Sequence, residues 1–178
     1  MKINKTTVIF LLLIIAVFSA ESQPSSFSAN IGMDFFNYEE NYLDTGFSYN
    51  HLITAGLEAS IGFDFALRTE NAGTDAVPNV VPYFFIPLNI GLNFIFDSFY
   101  PTMLFGFGIA PVIRIPPDST DTGRFYMGPY IKAGVRVKVQ RLLNWFIEVQ
   151  QDLLIGKPNW INTTTRAYTG INFSFSEK

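Results

Sequence analysis

Lys132, Arg136 and Lys138 stand at even positions of the run YIKAGVRVKVQ, and Glu148 and Asp152 stand at even positions of WFIEVQQDLLI. In an extended chain, residues two apart share a face, so each set lines one side of its segment. The RLLN connection at 141–144 is short enough to fold the two faces together, with Arg136 best placed to meet Glu148. Glu58 and Asp64 likewise share the even face of ITAGLEASIGFDFAL, and Arg114 stands next to last in FGFGIAPVIRI. The chemistry open to these eight residues is charge pairing inside an enclosed space. They can form a network of ion pairs, or a gate for solute passage that such pairs open and close.

Other chemistry has little to work with. The chain has one histidine, His51, followed by Leu52 and Ile53, and its place near a turn makes it a packing or boundary residue. No HExxH, no Cys/His cluster and no phosphate-cradling glycine loop is present. Cysteine is absent, which excludes a disulfide framework and a thiolate metal site. The expectation is a protein without catalysis, cofactor or metal. Net charge is −3 with no basic cluster, so a nucleic-acid partner is not expected.

The segments that carry these charges are strands. FSANIGMDF sets Phe27, Ala29, Ile31, Met33 and Phe35 against Ser28, Asn30, Gly32 and Asp34. PLNIGLNFIFD sets Leu88, Ile90, Leu92, Phe94 and Phe96 against Asn89, Gly91 and Asn93, and YTGINFSF sets Thr169, Ile171, Phe173 and Phe175 against Gly170, Asn172 and Ser174. The period is two throughout, and no stretch holds helical spacing. Residues 53–67 alternate without a break and read as one long strand. Polar stretches at 70–79, 116–124 and 157–163 are the longer connections, and 97–102 and 141–144 the shorter ones. No domain boundary interrupts the pattern.

Ahead of the strands, Lys2 and Lys5 precede the apolar run Val8–Val17, with small residues following at Ser19, Ala20 and Ser22. The run is shorter than the ~20 residues a spanning helix requires, so residues 1–22 read as a cleaved export signal and 23–178 as the mature domain.

Which face turns inward follows from residue size. The polar face is dominated by Gly, Asn, Ser and Ala with scattered charges, which suits a narrow interior. The other face carries large apolar residues, which suits a wall in contact with lipid. Ten residues tilted by ~40° rise about 25 Å, enough to cross the apolar band of an outer membrane. Tyr42, Tyr49, Tyr83, Tyr100, Tyr126, Tyr130, Trp145, Trp160 and Tyr168 fall toward strand ends and are expected at the membrane–water boundary, with ordinary aromatic packing at sheet ends the alternative for about half of them. Seven strands are plain in the pattern. An even number is needed to return the chain to its starting side, so an eighth is inferred in NYLDTGFSYN, residues 41–50. The expected fold is an all-β, closed, antiparallel, up-and-down transmembrane barrel of eight strands.

In these features the chain resembles the small eight-stranded bacterial outer-membrane barrels of the OmpA, OmpX and OmpW type. The resemblance covers the signal segment and essentially all of the mature chain, as pattern rather than identity. Such barrels end in a strand with a glycine and then aromatics two apart, which the barrel-assembly machinery reads. Gly170, Phe173 and Phe175 stand in that arrangement, followed here by Ser176, Glu177 and Lys178. The resemblance implies a monomer in the cell outer membrane, with membrane lipids and the assembly machinery as partners. It implies a structural, surface-contact or minor small-solute permeation role. Two enzyme types that modify lipid A use similar barrels, but the His-x-Ser arrangement of one and the leading amphipathic helix of the other are absent. The alternative is an exported soluble barrel of the lipocalin kind, with its large apolar residues turned inward around a small hydrophobic ligand.

Overall fold

Period-two alternation punctuated by Gly, Pro and polar turns leaves the backbone one economical solution, which is to pair each segment with the next. The computed structural model describes residues 25–71, 79–116, 124–157 and 159–175, and its regular elements are strands throughout. They are β1 (Ser25–Phe36), β2 (Glu40–Thr54), β3 (Leu57–Asn71), β4 (Val80–Phe96), β5 (Thr102–Ile115), β6 (Arg124–Gln140), β7 (Leu143–Ile155) and β8 (Ile161–Ser174). Each strand pairs antiparallel with its successor, and β8 pairs back onto β1 to close the barrel. The expected signal segment and Ser176–Lys178 lie outside the described residues, as do 72–78 and 117–123 of the long connections.

The register fixes the width of the interior. Stepping from partner to partner, Ser26 leads to Asn50, Ser60, Gly91, Gly108, Tyr130, Asp152 and Thr164, and then to Phe36 on β1, ten residues from the start. A stagger of that size over eight strands tilts them by about 40° and leaves a lumen that side chains alone can fill. One mouth carries Ser25, Ser174 and the turns at 55–56, 97–101 and 141–142, and is termed inner. The outer mouth carries the turn at 37–39, residues 156–157 and 159–160, and the strand ends at Asn71, Val80, Ile115 and Arg124.

The faces divide by size as expected. Ile31, Phe47, Ile61, Phe63, Ile90, Phe107, Ile131 and Ile171 are exposed on the outer wall, whereas Ser28, Asn50, Ser60, Asn93 and Asn172 are buried in the lumen. The lipocalin-like alternative requires the reverse and is set aside.

Two expectations are corrected. Residues 53–67 are not one strand: β2 ends at Thr54, Ala55–Gly56 turn, and β3 begins at Leu57. Gly56 has φ +82°, a conformation that a side chain disfavours. The turn escapes the alternation because a one-residue register shift between Leu52 and Thr54 makes Leu52 face Glu58. Even-numbered residues therefore face the lumen on both strands, and the pattern runs straight through the turn. The second correction concerns the aromatics. Tyr42, Tyr126 and Tyr130 are not boundary residues but fully buried lumen residues, and Tyr168 also points inward to hydrogen-bond Glu148. Tyr130 lies over the paired glycines Gly91 and Gly108, where a Cβ would collide with its ring or hydroxyl. Trp145 does face outward, and Tyr100 and Trp160 are exposed in turns.

The assigned faces make a direct prediction. Leu57 adjoins the turn, where an arginine could reach water, so Ile61 on the same face is the sharper test. Ile61→Arg is expected to cost about 2–4 kcal/mol in lipid-reconstituted urea unfolding, and Ile61→Leu almost nothing. Equal stability of the two variants would contradict the outward assignment.

Candidate functional site

The lumen is layered along its axis. At the outer mouth, Arg114 donates two hydrogen bonds from Nη2 to Glu40, at 2.7 and 2.8 Å. Arg68 approaches the same carboxylate at 3.4 Å and also pairs with Glu70. Both guanidinium groups lie against aromatic faces, Arg114 over Phe36 and Arg68 over Tyr83, each at 5.5 Å. These contacts let cations rest on an apolar layer at little cost.

Beneath this cap is the hydrophobic core. Phe36, Tyr42, Phe85, Tyr126 and Leu154 fill the cross-section, with Ala66, Ala110 and Val112 between them. Phe36 packs on Phe85 and Tyr126 at 5.5 and 5.6 Å between ring centroids, and Tyr42 on Phe85 at 5.6 Å. The outer half of the lumen is thus plugged by rings that point inward from β1, β2, β4 and β6.

Arg166 stands next, fully buried on β8. Its Nε donates to Asp152 Oδ2 at 2.9 Å, Nη1 to Asp64 Oδ2 at 2.9 Å, and Nη2 to Asp152 Oδ1 at 2.9 Å and Asn89 Oδ1 at 2.7 Å. Asp64 also accepts from Asn89 at 2.6 Å and Asn30 at 3.3 Å, and Asp152 from Gln150 at 2.8 Å. Asp34 faces Arg166 directly in the β1–β8 register, and Asp44 lies one lumen position from Asp34 across β1–β2. Both are buried, and their oxygens accept no hydrogen bond.

Toward the inner mouth come two further pairs. Lys132 Nζ is 3.2 Å from Glu148, and Arg136 Nη1 donates to both oxygens of Glu58, at 3.0 and 3.1 Å. The expected Arg136–Glu148 contact is only 4.0 Å. Glu148 stands opposite Gly134, between the two cations, and its neighbour is Lys132 while Arg136 reaches across the lumen to β3.

The eight residues read from the sequence are therefore divided. Glu58, Asp64, Lys132, Arg136, Glu148 and Asp152 lie in the middle and inner layers, Arg114 caps the plug, and Lys138 is exposed at the inner mouth. Arg166 was not among them, although it is the hub of the central layer. It has the same even parity as Gly170 and Asn172, so carrying the β8 alternation four residues back from Gly170 would have placed it in the lumen. Asp34 and Asp44 stood on the inward face of the pattern but not among the eight. His51 pairs with Ser25 across β1–β2, with Ser25 Oγ 2.9 Å from Nδ1, and Tyr49 donates to that hydroxyl at 2.9 Å. Gly170 faces inward against Phe146, while Phe173 and Phe175 face outward and meet edge to face at 5.9 Å. Among the described residues, no three His, Cys, Asp or Glu side chains are grouped so as to hold a metal ion.

Removing one partner of a buried network strands the others, so Arg166→Leu, which leaves Asp64 and Asp152 without their guanidinium, is expected to cost about 3–5 kcal/mol. Urea unfolding in detergent measures this. Arg68→Leu at the outer cap, where the side chain is partly exposed, should cost far less.

No protein-family profile matches the chain, and no curated protein matches it in sequence. Solved structures match its fold. The crystal structure of Neisserial surface protein A superposes with a TM-score of 0.68 at 10% identity, covering 85% of this chain and 96% of that one. Ail, the attachment invasion locus protein of Yersinia pestis, was solved with the heparin analogue sucrose octasulfate. It gives 0.58 at 11% identity, over 86% of this chain and 99% of that one. The N-terminal β-barrel domain of Pseudomonas aeruginosa OprF gives 0.54 at 12%, over 86% and 98%. At these identities the likeness is one of fold, and the fold is that of the small eight-stranded outer-membrane β-barrels.

Proposed function

We propose that this chain is an integral protein of the bacterial outer membrane that serves as a closed structural or surface-contact barrel. The observation that carries the reading is the combination of an apolar outer wall with a lumen whose outer and middle layers are filled by side chains. Isoleucine and phenylalanine side chains exposed around the whole circumference need lipid as their solvent. The aromatic plug and the Arg166 layer occupy the outer and middle lumen, which favours contact at the membrane surface over permeation. Two of the structures that share the fold are named for a surface location or for attachment, which supports the same direction. In this reading, Gly170, Phe173 and Phe175 present the β8 strand to the barrel-assembly machinery. The interior charges hold the barrel shut rather than performing catalysis.

The test is fractionation and unheated gel electrophoresis of the mature protein, followed by planar-bilayer recording. An outer-membrane protein whose migration shifts on heating, with no steady conductance, is expected. A soluble protein without a shift would overturn the membrane assignment, and a stable open channel would overturn the closed lumen.

A further inference from the structure

The two ends of the lumen are not alike. The outer end is plugged, whereas below the Arg136–Glu58 pair the lumen opens into a well of about 430 Å³ at the inner mouth. That volume falls within the range of small-molecule sites, roughly 300–1,000 Å³. The next void above it is only about 20 Å³. That is room for about one water molecule, so the well is blind.

The chemistry of its lining is specific. Arg136 forms the floor and is nine-tenths buried. Its hydrogen bonds to Glu58 leave from Nη1 alone, and its Nε–H has no partner. The Nε edge of a guanidinium is one that carboxylates and phosphates engage side-on. Lys138 stands exposed on the wall and enters no hydrogen bond or ion pair among the described residues. Ser174 and Thr102 add hydroxyls, and Phe99 and Tyr100 stand exposed at the rim. Two acids also line the well. Glu58 is engaged by Arg136, and Asp97 has interactions of its own. Arg141 is a third cation on the wall and, like Asp97, has interactions of its own, which leaves Lys138 as the lining charge without a hydrogen bond or ion pair among the described residues.

We propose that this well binds a small soluble oxyanion, a phosphate or carboxylate group, between Arg136 and Lys138, with the remainder of the ligand against the aromatic rim. The Nε–H is buried at the floor of the well, so binding requires the Arg136 side chain to turn that edge toward the opening. The ligand enters and leaves by the same mouth, so the site is a receptor pocket and not part of a channel. The well exists whether or not the outer loops contact a surface, so its failure and that of the surface-contact reading are separable.

The experiment is NMR of the mature protein in zwitterionic nanodiscs, titrated with inorganic phosphate and, separately, with glycerol 3-phosphate, against chloride at equal ionic strength. The Arg136 Nε–H resonance should move saturably with both phosphates and not with chloride. Lys138→Gln, an exposed change that leaves the barrel intact, should weaken binding about tenfold or more. Shifts that follow ionic strength alone, or affinity unchanged in Lys138→Gln, would overturn the proposal. So would a response seen only when phosphatidylglycerol is added to the nanodisc, since that would make the ligand a lipid headgroup.

Discussion

The rest of the structure depends on the ladder between β8 and β1. Every other pairing joins strands adjacent in sequence, so each could form in an open sheet. This one brings together segments more than a hundred residues apart, from Ser26 opposite Ser174 to Phe36 opposite Thr164. Without it two edges would face lipid, where unpaired peptide groups find no substitute for water. The seam is dressed accordingly. Gly170 faces Asn30, where a Cβ would strike the carbonyl of Ala29, and the Phe175 amide extends the pairing past the end of β8 by donating to Ser25 O at 2.8 Å. The ten-residue stagger of this seam also sets the tilt and therefore the bore, and the bore decides what the interior can contain.

A bore filled by side chains forces the inward charges to meet one another. At the outer cap, two arginines share Glu40 and Glu70, and in the inner layer Lys132 and Arg136 share Glu58 and Glu148. Signs balance in both layers. The central layer differs: Asp34, Asp44, Asp64 and Asp152 surround Arg166, and only two of the four carboxylates are hydrogen-bonded to it. Such a layer adds little net stability over an apolar one of the same volume, because desolvation offsets most of the attraction. What it supplies is a defined arrangement. From β8 the guanidinium bonds its neighbour β7 and also β3 and β4, which do not pair with β8 through their backbones, so it ties opposite walls of the barrel.

How much of this could be read from the residues depends on the kind of signal. The inward and outward faces were legible because a wall and a narrow lumen demand opposite sizes at alternating positions, as in β1, β5 and β6. The eighth strand was legible by parity, and β2 lies where the count required it, though longer, from Glu40 to Thr54. The turn at Ala55–Gly56 was not, because the register shift keeps the alternation in phase across it. The tyrosines were misread for a related reason. A tyrosine is compatible with a membrane boundary and with a polar lumen, and local sequence does not say which. The distinguishing signal lies on neighbouring strands, where Gly91 and Gly108 leave the space that Tyr130 occupies. Pair partners across the lumen were the least legible. Arg136 hydrogen-bonds Glu58, 78 residues away, and keeps only a 4.0 Å ion pair with Glu148 across the nearest turn.

The contrast between the two mouths carries the argument about function furthest. A permanently open channel needs room for water along its whole axis, yet here the cross-section changes from packed aromatic rings to amides and carboxylates and then to an open well. Charge follows the same division. At the outer mouth the arginines turn their faces onto Phe36 and Tyr83 and their donors onto Glu40, so little is left to attract a solute. At the inner mouth a covered Nε–H and an uncompensated ammonium remain beside an empty volume. The barrel is therefore a cup with its opening on the side of the short turns. Whatever reaches its interior must come from that side, while contact on the other side belongs to the loops and the rim.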